Sequence, residues 1–114
     1  MIMRMWMVDP TVMCRNHLLG EHVEIHMFVG ALDKGQYVTG YLQKGLLEVH
    51  SLYGRHEELV KDIKRRGYSH FSDLDEKWKF ADKLGEVDRK RSLEELVRRC
   101  SKCRKLVEER GSTT

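Results

Sequence analysis

The chain has 114 residues, with 34% charged, 40% hydrophobic, 1 Pro, 3 Cys and a formal net charge of +3. That size and balance suit a single domain over residues 1–114 and exclude a collagen-like, proline-rich or generally disordered chain. No uncharged apolar run reaches the roughly 20 residues of a membrane span. The Met-rich start is interrupted by Asp9-Pro10 and is no signal peptide, and the odd Cys count argues for a reducing, cytoplasmic setting without a disulfide framework.

Residues 1–10 are apolar and read as extended. A helix is predicted from near Thr11 to Leu32, entered through Pro10 and stopped by Asp33-Lys34-Gly35. Residues 36–50 contain two Gly among scattered β-formers and read as a loop or weak β-hairpin. The second helix covers 51–66, with Leu52, His56, Leu59 and Ile63 on one face and Lys64-Arg65-Arg66-Gly67 as its stop. Residues 68–90 read as a loop holding a short helical piece.

The third helix is predicted over 92–110. Ser92 and Glu95 have capping-box spacing, and Leu93, Leu96, Cys100, Cys103 and Val107 make the apolar stripe. Arg91, Arg98, Lys102 and Lys105 take the opposite face, within a run (residues 89–105) of 8 cations and 2 anions. Such a run attracts phosphates, and it equally describes a solvated helix face. The expected fold is mainly α: one compact domain of three packed helices with long loops.

The first helix is the odd element. The 18 residues between Arg15 and Lys34 contain no Lys or Arg, yet hold Glu21, Glu24, His17, His22 and His26 among apolar neighbours. Burying a carboxylate without a partner is costly, so each needs compensation or a function. At 100° per residue, His17, Glu21, Glu24 and Phe28 fall within about 60°, with Gly20 at the edge. A His and two carboxylates on one stripe suit general acid–base work, and they equally suit a polar groove rim.

His22 and His26 stand at i, i+4, a zinc-ligand spacing, with Glu21 adjacent, and Cys100-Ser-Lys-Cys103 is a single CxxC. Both sulfurs lie on the apolar stripe, which favours core packing. A two-Cys, two-His zinc site is the alternative, and no metal or cofactor is expected.

The run His17-Leu-Leu-Gly-Glu-His-Val-Glu24-Ile, followed by Phe28-Val-Gly-Ala, resembles the first helix of the pyrimidine-dimer DNA glycosylases of the phage endonuclease V type. The Lys-Arg-Arg-Gly-Tyr68 stop is similar to that family's, and the third helix is matched in character by Arg98 and Lys102. The resemblance implies a compact all-α fold and a DNA repair glycosylase with abasic-site lyase activity. The α-amine of the chain is its nucleophile: that of Met3 if the chain starts there, otherwise that of Met1. Glu24 is implied as the catalytic carboxylate, and His17 as its orienting or DNA-holding partner. The implied DNA-binding set is Arg4, Arg15, Glu21, Arg91, Arg98, Lys102 and Lys105. Val23 and Met27 stand where the best-known members carry Arg, and the aromatic basic tail is absent. The implied partner is duplex DNA with damaged or abasic sites, met by a monomer away from membranes. A noncatalytic or retargeted nucleic-acid-binding domain of the same fold is the alternative.

Overall fold

In the computed structural model, residues 3–69 and 71–111 are described. They fold into α1 (Arg15–Asp33), α2 (Thr39–Gln43), α3 (Leu52–Arg65), α4 (Arg89–Arg99) and α5 (Ser101–Gly111), with 3-10 turns at Pro10–Val12, Val49–Ser51 and Glu76–Phe80. The mainly α expectation holds, and 36–50 forms a short helix and a turn rather than a hairpin.

The core is built around α1 packed on α3. Leu52, His56, Leu59 and Ile63, the stripe read from spacing, are all fully buried. They meet Leu18, Ile25 and Phe28 of α1 and the extended segment before it, where Met5, Trp6 and Val8 are also buried. Met5 N–H donates to the Leu46 carbonyl at 2.8 Å, which fastens that segment across the molecule. Gly67 stops α3 at φ +84°, the left-handed cap its sequence requires.

Two helix boundaries differ from expectation. The first helix does not begin near Thr11. Pro10–Val12 is a separate turn capped by Asp9, Met13 and Cys14 are extended, and α1 starts at Arg15. Arg66 holds this turn by donating to the carbonyls of Pro10 (2.9 Å) and Met13 (2.7 Å). The predicted third helix is two helices broken at Cys100, whose backbone is extended (φ −122°, ψ 110°). The N-cap of α4 is Asp88, which accepts from Arg91 N–H at 3.0 Å, not Ser92. Ser92 is buried, donates to the Trp6 carbonyl and accepts from Arg4.

The loop entering α4 is fixed by Glu48, whose carboxylate accepts from Val87 N–H at 3.0 Å and from Arg89 at 3.1 Å. Gly85 allows this loop to lie close: its φ is +79°, and a Cβ there would sit 2.2 Å from the Leu47 carbonyl oxygen. Gly85→Ala is therefore expected to cost roughly 2–3 kcal/mol, from left-handed strain plus a backbone overlap. A shift in the midpoint of urea unfolding measures it.

Candidate functional site

The outer side of α1 forms the floor of a cleft of about 580 Å³. From α1 come Asn16, His17, Leu19, Gly20, Val23, Glu24 and Met27; Met3, Arg4 and Trp6 form one wall, and Arg99 closes the end. The polar stripe thus divides at the surface. Glu24 faces the cleft, whereas Glu21, one turn away, points into the core.

Glu24 is the titratable group most suited to chemistry. Burial pushes its carboxyl up to about 7, with a hydrogen bond from the Arg4 backbone pulling down, the Glu21 charge pushing up and the Arg4 guanidinium pulling down. A group poised there exchanges protons readily near neutrality. Arg4 stacks on Trp6, its guanidinium carbon 3.8 Å from the ring centroid, and donates to Ser92 Oγ at 2.9 Å. The N-terminal segment is thereby fixed beside Glu24. Val23 and Met27 are about half exposed and give the cleft an apolar lip.

Glu21 corrects the expected DNA-binding set. It is fully buried and accepts from Arg55 at 2.6 and 2.8 Å through both oxygens, so it has no route to DNA. Arg55 is itself buried and also donates to the Val8 carbonyl (2.6 Å) and Glu58 (2.6 Å). This is the compensation that a buried carboxylate demands.

The expected cations gather unevenly. A second cleft, of about 550 Å³, shares Arg4 and Arg99 with the first and adds Lys44, Arg91 and Arg98. Arg98 and Arg99 both donate to Glu95, which they hold down at about 2. Arg15 is exposed and lies over the Tyr68 ring at 5.4 Å. Lys102 and Lys105 are exposed on α5, beyond the break, so the i, i+4 relation of Lys102 to Arg98 does not exist. Arg99 and Trp6 were not singled out from the sequence. On a helix continuous through Cys100, Arg99 is just one more cation of the run.

His17 lines the cleft, but its Nδ1 faces sulfur: it lies 3.2 Å from Cys14 Sγ and 3.8 Å from Cys103 Sγ. Its ring meets Trp6 edge-on, at 5.7 Å between centroids. His22 and His26 do not join the Cys pair. They pack instead with His56, at centroid separations of 4.8–5.0 Å. His26 and His56 both direct Nε2 at the Ser72 carbonyl, at 3.1 and 2.6 Å.

Burial, then the charges of His26 and His56, push His22 down to about 4, below its ordinary 6.5. The unfolded chain then binds more protons in that window, so the His22 contribution to stability is full above pH 6.5 and is lost as pH falls toward 4. Glu24, raised by its burial, acts in the opposite sense. The difference between parent and His22→Leu in unfolding free energy is therefore expected to shrink on acidification, by up to about 3 kcal/mol. Equal slopes for the two proteins would show that His22 does not titrate as its burial requires.

No described helix is long and apolar enough to cross a membrane. A family model described as pyrimidine dimer DNA glycosylase matches residues 3–76. No curated protein and no solved structure matches the chain.

Proposed function

The chain belongs to the pyrimidine dimer DNA glycosylase family, and from that premise we propose that it excises a damaged pyrimidine from duplex DNA and cuts the strand by an abasic-site lyase reaction. The observation that carries this is the cleft, where Met3, Arg4 and the half-buried Glu24 face one space.

In this proposal the α-amine of a chain beginning at Met3 is the nucleophile; Met1, the other candidate, lies outside the described residues. The amine attacks C1′ and loses a proton, and the base leaves with the glycosidic electron pair and takes up a proton. The C1′–O4′ bond then breaks, the ring oxygen keeping the electron pair and taking up a proton as the nitrogen forms an iminium with C1′. Loss of a C2′ proton then expels the 3′-phosphate by β-elimination. An amine with a pKa near 8 is partly unprotonated at neutrality, as the attack requires. Glu24, as carboxylate, stabilises positive charge at the sugar and takes the C2′ proton. His17 supports the cleft wall, because its Nδ1 is committed to the sulfurs. Val23 and Met27 offer apolar contact to a nucleotide turned out of the stack.

Arg4, Arg91, Arg98 and Arg99, beside the two joined clefts, and Arg15, Lys102 and Lys105 farther out, track the phosphates. Reversing Arg98 and Arg99 to Glu is expected to weaken binding to any duplex about equally and to flatten the log–log salt slope by roughly 2. A loss confined to one sequence would contradict phosphate contact. The activity itself is tested by incubating the protein with duplexes that are undamaged, carry one abasic site or carry one pyrimidine dimer. Cutting of the second and third alone is expected. Binding to all three without cutting would replace the enzyme reading by a noncatalytic DNA-binding one.

A further inference from the structure

All three cysteines of the chain meet at one place, with His17. Cys14 ends the N-terminal segment, His17 lies in the first turn of α1, Cys100 is the break between α4 and α5, and Cys103 is in the first turn of α5. One ligand atom from each lies within 4.8 Å of all the others. We propose that these four residues form a structural zinc site, with three thiolates and the neutral imidazole Nδ1 as ligands.

The separations, none above 4.8 Å, are close to those around a single tetrahedral ion. Legs of about 2.3 Å to sulfur and 2.0–2.1 Å to nitrogen give sulfur–sulfur edges of about 3.8 Å and sulfur–nitrogen edges of about 3.6 Å. Cys14 Sγ and Cys100 Sγ are 3.8 Å apart, and His17 Nδ1 is 3.2 and 3.8 Å from two of the sulfurs. An iron–sulfur cluster requires wider spacing, because its thiolates bind different irons. Backbone amides already point at the sulfurs: Cys14 N–H donates to Cys103 Sγ at 3.1 Å and Cys103 N–H to Cys100 Sγ at 3.4 Å. Such outer bonds orient and stabilise thiolate ligands.

The helix break is an independent observation. Residues 96–104 contain no Gly or Pro, yet the backbone turns extended at Cys100. The break coincides with the place where Cys100 and Cys103 join Cys14. Both cysteines lie beyond residue 76, where the family match ends. The three-His group is a poorer candidate: the Nε2 of both His26 and His56 is directed at the Ser72 carbonyl, so a nitrogen donating there has no lone pair for a metal. On binding, zinc displaces the three thiol protons to solvent. The ion would tie the start of α1 to the α4–α5 junction, holding His17 and Arg99, both at the cleft, in place.

The test needs no DNA and no activity. The full chain, expressed in a reducing cytosol and purified without chelator, is analysed for metal, then exchanged with cobalt. About one zinc per chain is expected, together with an intense visible cobalt spectrum and thiolate-to-cobalt charge transfer in the near ultraviolet. The charge-transfer band should weaken by roughly a third in Cys100→Ser and strengthen by roughly a third in His17→Cys, in step with the thiolate count. Less than about a tenth of a zinc per chain with no thiolate band would overturn the proposal. So would full zinc retention in Cys100→Ser/Cys103→Ser, which would place the metal on the three histidines, or a disulfide among the cysteines in the freshly isolated protein. The metal content of the parent together with its thiolate-to-cobalt band decides the matter even if the variants fail to fold.

Discussion

Glu24→Gln is expected to slow strand cleavage at abasic sites by about 10²-fold to 10⁴-fold, the usual range for a positioned proton-transfer group. The same change should stabilise the protein near pH 8. Burial raises the Glu24 carboxyl from 4.5 to about 7. The folded state then binds more protons than the unfolded one between those values, so Glu24 costs increasing stability as pH rises through the window. Gln removes that cost above pH 7 and changes little below pH 4.5. Because the group is half in solvent, the gain is on the order of 1 kcal/mol, a rise in Tm of about 5 °C. Kinetics on an abasic duplex and thermal melts at two pH values measure both effects. A slow enzyme with unchanged stability would mean that the Glu24 environment is wetter than the fold indicates. An unimpaired enzyme would remove Glu24 from the chemistry. The pairing of lost activity with gained stability is the signature of a group kept for function against its preference for water.

Arg55→Ala should cost about 3–5 kcal/mol, the range for removing one partner of a buried pair. The guanidinium is almost fully buried and holds Glu21 through two bonds while also donating to the Val8 carbonyl. Its loss leaves a fully buried carboxylate uncompensated and a segment end untied. Against a typical total of about 5–15 kcal/mol, that is a fall in Tm on the order of 20 °C. The double change Arg55→Met/Glu21→Leu should recover most of the loss, because no charge is then stranded. A loss below about 1 kcal/mol for Arg55→Ala would mean that Glu21 is protonated or hydrated rather than paired.

The sequence was informative where one helix decides the outcome. The α3 stripe and its Gly67 stop follow from local periodicity and cap chemistry, and both are present in the fold. On α1, spacing grouped His17, Glu21, Glu24 and Phe28 on one side with Gly20 at its edge; His17, Gly20 and Glu24 line the cleft, whereas Glu21 and Phe28 are buried. Spacing alone could not separate Glu24 from Glu21. That division depends on Arg55, 34 residues later, which draws Glu21 inward. The break at Cys100 was illegible for the same kind of reason. Local propensity continues the helix, and its end coincides with a contact to Cys14, 86 residues away. The capping box at Ser92 and Glu95 has the right letters, but Asp88 starts the helix earlier and frees Ser92 to bind Trp6 and Arg4.

In the proposed reaction the terminal amine at the cleft attacks the sugar. Borohydride trapping on duplex DNA with one abasic site tests it most directly, comparing chains that begin at Met3 and at Met1. Reduction fixes an imine as a covalent adduct. An adduct is expected from the Met3 chain, mapped by peptide mass to its first residue. An adduct on an internal lysine, or none from either chain while DNA binding persists, would contradict it.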